Sequence, residues 1–149
     1  MNKRKKLTCL FALLLMGQVM YSQNVDSLFR DFAKEKGVVH VGIGKFTMSL
    51  ASLFTDVMGV SGIEVYSFEE CNQSVKDNLN NAIASLKDSR YETMVSVNEN
   101  TERTKILVKT EGEFIQELVV MTSGNDPALI RIKGKIKPSD VENVINKNK

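Results

Sequence analysis

Residues 91–134, "YETMVSVNENTERTKILVKTEGEFIQELVVMTSGNDPALIRIKG", decide the fold, because the hydrophobic period there is two. Four short runs, "YETMVSV", "TKILVKT", "FIQELVVMT" and "ALIRIKG", are divided by "NENTER", "EGE" and "SGNDP". Those dividers supply the Asn, Gly, Asp and Pro that tight turns use. Successive strands joined by short turns pair with their neighbours, so the stretch predicts a four-strand antiparallel meander. Val95 and Val97 of the first run, and Leu118 and Val120 of the third, are expected to face inward. Lys105, Lys109 and Glu117 fall on the opposite face, which is expected to meet solvent.

Upstream of this block helices and strands alternate. "CNQSVKDNLNNAIASLK" carries Val75, Leu79, Ile83 and Leu86 at helical spacing, and "GIEVYSF" before it reads as a strand. Earlier still, "VVHVGI" is a strand that exits at Gly44 into the helical pattern of "KFTMSLASLFTDVMG", with Phe46, Leu50, Leu53, Phe54 and Val57 on one stripe. "NVDSLFRDFAKEKG" places Val25, Leu28, Phe29 and Phe32 on a helical face ahead of a Gly37 stop. Downstream, "KPSDVENVIN" has Ser139 and Glu142 at capping-box spacing, with Val141, Val144 and Ile145 as its apolar residues. The expected fold class is α+β: a single domain with a mostly antiparallel sheet, including the C-terminal four-strand meander, covered by helices.

The first 22 residues read as a signal peptide. Lys3, Arg4, Lys5 and Lys6 precede an apolar run from Leu7 to Met20, and cleavage is expected after Ser22. Gly17 and Gln18 leave the run short for a bilayer crossing, so no stable membrane span is expected once it is removed. Residues 23–149 form the expected domain. The whole chain has 20 basic and 18 acidic side chains; loss of the four leader cations leaves 16 against 18, a formal charge of −2. Such a balance lacks the basic footprint of a phosphate-backbone binder, so nucleic acid is not an expected partner. Cys71 is left as a single cysteine, read as a buried small hydrophobe, with intermolecular pairing as the alternative.

Motifs for chemistry are incomplete. In "VVHVGIGKF", residues 38–46, Gly42, Gly44 and Lys45 lack the earlier glycine of a phosphate loop, and Thr47 comes one place late. The third glycine of a dinucleotide fingerprint is also missing, with Phe46 beside the turn. His40 is the chain's one histidine, and imidazole is the side chain suited to acid–base or metal chemistry. It has no second histidine for a zinc site, and Cys71 is the thiol it would have to activate as a base. A small hydrolase or other enzyme using His40, with Cys71 as its partner, is therefore the alternative to a binding role. Glu69 and Glu70 are adjacent and point apart, unlike paired glycosidase carboxylates. "SGNDPA" and "NENTER" lack a full calcium-loop ligand pattern, and Ser49, Ser52 and Ser61 lie outside Gly-x-Ser-x-Gly. No cofactor and no metal site is expected.

Tyr66 and Phe68 alternate with Val65 and Ser67, so an aromatic pair on the second face of that strand is the candidate interaction patch. "NQS" at 72–74 matches a glycosylation acceptor, but Asn72 stands where a helix begins and is read as its cap. Lys105, Lys109, Arg131 and Lys133 would oppose strand-edge pairing if they lay at a rim, and no motif assigns an oligomeric state.

Taken in order, "FTMSLASLF", "IEVYSFEEC", "YETMVSV", "TKILVKT", "IQELVVMTSG" and "LIRIKGKIKPSDVENV" resemble the DUF4252 family, over roughly residues 25–146. That resemblance implies a small exported α+β protein of the Bacteroidetes cell envelope, often a lipoprotein, with no reaction and no catalytic residue to transfer. Here the leader has Cys9 near its start and none at its end, so a periplasmic or secreted form is expected rather than a lipid-tethered one. The expected function is non-enzymatic binding of another envelope protein or a surface polymer, with small-molecule binding as a further alternative.

Overall fold

The computed structural model describes residues 23–40 and 59–147. The expected signal peptide, the strand beyond His40, the Gly44 turn and the helix over 45–58 lie outside the described residues.

Helix α1 (Val25–Phe32) starts at Asn24, whose side chain accepts from the Ser27 N–H at 2.8 Å while Ser27 Oγ accepts from the Asn24 N–H at 3.0 Å. That reciprocal box satisfies two otherwise orphaned donors. The helix ends at Ala33, before the expected Gly37 stop; Gly37 instead carries a positive φ in the turn that follows. Strand β1 (Val39–His40) is short, and β2 (Val60–Ser67) follows. Helix α2 (Gln73–Ser85) is capped by Asn72, which accepts from the Val75 N–H at 3.0 Å, the role expected of it in place of glycosylation. Strands β3 (Glu92–Glu99), β4 (Glu102–Glu111), β5 (Phe114–Ser123) and β6 (Ala128–Ile136) follow, then helix α3 (Pro138–Lys147). Ser139 lies inside α3 rather than capping it: Pro138 takes the first helical position, where its missing N–H and fixed φ suit a helix start.

All six strands are antiparallel, in the order β1-β2-β6-β5-β4-β3. β3 to β6 are successive neighbours, and the upstream β2 joins the block on β6. The β2–β6 crossing is tight, with the Lys135 N–H donating to the Gly59 carbonyl at 2.8 Å. A Cβ on either Gly59 or Gly134 would run into the facing backbone.

Burial divides the sheet in a way the period-two reading missed. Leu107, Val119, Met121 and Leu129 belong to one buried cluster with α1 and α2, through Val25, Leu28, Phe29, Phe32, Val75, Leu79 and Ile83. Their alternates Val108, Leu118, Ile130 and Ile132 belong to a second cluster with Val65, Ile136 and Val141 of α3. Each face therefore carries a buried cluster, and the expectation that the Lys105, Lys109 and Glu117 face simply meets solvent is corrected: residues of α1 and α2 cluster with Leu107, Val119 and Met121 on that face. Glu117 itself is buried. Val97, expected to point inward, is 42% exposed. A register shift between Thr93 and Val95 re-aims that strand, and Met94 packs on the second cluster.

Among the described residues β1 and β3 are the outer strands. Lys105 and Lys109 lie on β4, and Arg131 and Lys133 on β6, both internal, so these cations do not guard an edge.

Candidate functional site

A cleft of about 470 Å³ opens between α2 and the β3–β4 hairpin. Its helix wall follows from the apolar spacing of α2. With Val75, Leu79 and Ile83 turned to the core, Asn80, Asn81 and Ala84 are left along the flank. Its sheet wall follows from the alternation of β4: Arg103 and Lys105 share the face of buried Leu107. Arg103 is flanked across the ladder by Asn98 and Ser123, and Lys105 by Ser96 and Met121.

Asn80 fixes the floor. Its Nδ2 donates to the Gly124 carbonyl at 3.0 Å and its Oδ1 accepts from the Gly124 N–H at 3.1 Å, so one side chain replaces both missing partners of a turn residue. Gly124 has φ +135°, and a Cβ there would press on the Thr101 carbonyl and Glu102. Lys76 adds a hydrogen bond to the Asn125 carbonyl at 3.0 Å. The β5–β6 turn is thereby held against α2.

Among the described residues the lining contains Arg103 and Lys105 and no carboxylate. Among the described residues neither cation takes part in an ion pair, whereas Arg30, Lys76, Arg90 and Arg131 all do. The remaining polar lining consists of the amides of Asn80, Asn81 and Asn98 and the hydroxyls of Ser96, Thr101, Thr104 and Ser123. Such a wall can hydrogen-bond a hydroxylated ligand and neutralise a negative group.

A second polar cluster lies where α1 meets the sheet, and its groups are already committed to one another. Arg131 reaches Asp26 at 3.1 Å and lies 4.3 Å over the Phe29 ring. Arg90 spans Asp26 at 3.0 Å and Asp88 at 2.7 Å, and Asp88 also accepts from the Val25 N–H at 3.1 Å. Arg131 Nε and Glu117 Oε1 sit 2.9 Å apart, but the N–H points off that line, so the contact is an ion pair without an aligned hydrogen bond. Hydrogen bonding from Arg90 holds Asp88 down at about 2 against the opposing effect of burial, and lowers Asp26 as well. Burial, with the Glu117 carboxylate alongside, pushes the Tyr91 hydroxyl well above the usual phenol range. This cluster ties the start of α1 to β5, β6 and the loop before β3.

A second cavity, about 450 Å³, is lined by Glu111, Gly112, Phe114, Gln116, Gly134 and Lys135. Its lysine lies 4.5 Å from the Phe114 ring centroid, and Glu111 shares the wall.

The residues singled out from sequence lie elsewhere. His40 is exposed on β1, its ring 5.0 Å from that of Tyr66, its cross-strand partner. Cys71 is buried in the cluster under α2, where desolvation raises its thiol pKa. No hydrogen bond joins the two among the described residues. Tyr66 is half-buried, edge-on to Phe29 at 6.0 Å, and Phe68 is fully enclosed with its ring against Phe32. The aromatic pair thus belongs largely to the helix-side core. Ser61 Oγ donates to the Lys133 carbonyl at 3.2 Å; Ser49 and Ser52 lie outside the described residues. Asn80, Arg103 and Lys105 were not among the sequence candidates. The signal for the two cations was present in "RTKIL", where they alternate with Leu107 on one face.

Among the described residues no group of three His, Cys, Asp or Glu side chains could hold a metal ion. No described helix is long and apolar enough to cross a membrane.

Among the described residues an open six-strand antiparallel sheet with three helices, holding a polar cleft beside α2, defines a mostly β domain. The family model described as a domain of unknown function, DUF4252, matches residues 31–144, and the chain belongs to that family. No curated protein and no solved structure matches it.

Proposed function

We propose that the protein is a non-enzymatic binding domain of the cell envelope, delivered to the periplasm or outside by the leader over residues 1–22, and that it engages a hydroxyl-rich surface polymer through the cleft beside α2. In this reading the domain is α+β, its four C-terminal strands form a meander, and its helices cover the sheet. The observation that carries the role is the cleft's wall: amides, hydroxyls and two unpaired cations around about 470 Å³, within the size range of small-ligand sites. A protein partner is less well matched, because binding hot spots centre on aromatic anchors and apolar pockets, and among the described residues this lining offers only Ile83 and Ala84 as apolar side chains. Asn80 and Lys76 favour the same reading, since they hold the floor in place before a ligand arrives and reduce the ordering cost of binding.

Co-sedimentation of the full chain with purified envelope polysaccharide tests the role. Wild-type protein is expected to sediment with the polymer, and a variant whose cleft is filled by Ser96→Phe is expected to stay in the supernatant while keeping its unfolding midpoint. Equal sedimentation of the two would remove the cleft from the account. Recovery of a product still carrying residues 1–22 in the cytoplasmic fraction would contradict export.

A further inference from the structure

We infer that the cleft's ligand is an anion, a carboxylate- or phosphate-bearing sugar whose charged group sits between Arg103 and Lys105. This rests on the binding role proposed above. Residues two apart on a strand place their Cα atoms roughly 7 Å from each other on the same face, so the two long cationic side chains can converge on one group. The cross-strand neighbours of Arg103 are Asn98 and Ser123, and those of Lys105 are Ser96 and Met121, so no acid faces either cation along the ladder. Glu99 and Glu102, paired with each other in the hairpin, are not part of the lining.

The sign of the ligand follows from desolvation. A neutral ligand filling this space would displace water from around two like charges and return ion–dipole hydrogen bonds that neutralise neither charge. An anion reverses that balance, because charge-assisted bonds to a carboxylate or phosphate are the strong ones and arginine's planar fork suits both groups. The amides and hydroxyls then have the remainder of the molecule to satisfy. Asn98, Ser96 and Ser123 stand beside the cations on the strand wall, and Asn80 and Asn81 face them from the helix. Among the described residues no aromatic side chain lines the cleft to give a stacked base a platform; the hydroxyls of a sugar ring are the better match.

Calorimetric titration of the full chain with D-glucuronate, glucose 6-phosphate and glucose, with amide NMR of the same samples, tests the inference. At least one of the two anions is expected to bind and to shift the amides of Asn98, Arg103, Lys105 and Gly124, with glucose weaker by about tenfold or more. Arg103→Gln and Lys105→Gln are each expected to weaken the anion by about tenfold, and added salt to weaken it further. Which anion binds more tightly separates a uronate from a sugar phosphate as the source. Glucose binding in the cleft as tightly as the anions overturns the anionic assignment and leaves the binding role standing. Anion binding unchanged in the doubly substituted protein places the charge elsewhere and also overturns it. If none of the three probes moves the cleft amides, the inference fails, and the polysaccharide sedimentation decides separately whether the cleft binds at all.

Discussion

Asp88 shows how a single residue ties the chain's start to its sheet. Its carboxylate takes two bonds from the Arg90 guanidinium, at 2.7 and 2.9 Å, and one from the Val25 N–H, and its side chain is only 4% exposed. Arg90 is the main reason its pKa lies at about 2, below the ordinary aspartate value. A carboxyl depressed in the folded state contributes stability that is complete above the unfolded pKa and is lost as pH falls through the folded one. Urea midpoints are therefore expected to hold down to about pH 5 and then decline towards pH 2, by on the order of 2 kcal/mol from this group. Asp88→Asn should lower the neutral midpoint and flatten that decline. An acid limb unchanged in the variant would remove Asp88 as its source. The Glu117–Arg131 pair makes a different demand, because both partners are buried and imperfectly aligned. Glu117→Leu or Arg131→Met alone is expected to cost about 3–5 kcal/mol, whereas the two together should recover a large part. Denaturant titration of the three proteins checks this, and simply additive losses would show that the pair acts as two independent contacts.

The elements were legible to different degrees, for reasons visible in particular residues. Asn72 before a helical stripe and the turn residues between the last four strands mark their structures locally, and the strands appear close to where those runs place them. The two-sided sheet was also written in β5, where Leu118, Val119, Val120 and Met121 run without a polar break, as in strands buried on both faces. Alternating Lys105, Lys109 and Glu117 concealed it, because a solvated face and a face on which helices pack share one alternation of polar and apolar residues. The register shift between Thr93 and Val95 has no local signature. The cleft was less readable still, since Asn80, Gly124 and Arg103 meet only through the packing of α2 on the sheet. Gly134 makes the element-scale argument testable. Gly134→Ala drives a Cβ into the Gly59 backbone across β2–β6, and an expected loss of more than about 2 kcal/mol would show in the thermal midpoint. A variant as stable as wild type would mean that the crossing can open at no cost.

At the scale of the whole molecule, charge is divided by use. The acids and bases around α1 are spent on one another, fixing the helix to the sheet, while Arg103 and Lys105 have no ion-pair partner among the described residues and stand beside a polar cavity. His40 and Tyr66 stand at the far end of the strand order, on β1 and β2, whereas the cleft belongs to α2, β3, β4 and β5. Two surfaces thus compete for the binding role, and they are separated widely enough to be told apart residue by residue. Amide NMR of the full chain during addition of purified envelope polysaccharide does so most directly. The account predicts shifts concentrated at residues 80–84, 96–105 and 123–124. Shifts gathered instead around His40 and Tyr66, with the cleft silent, would contradict it.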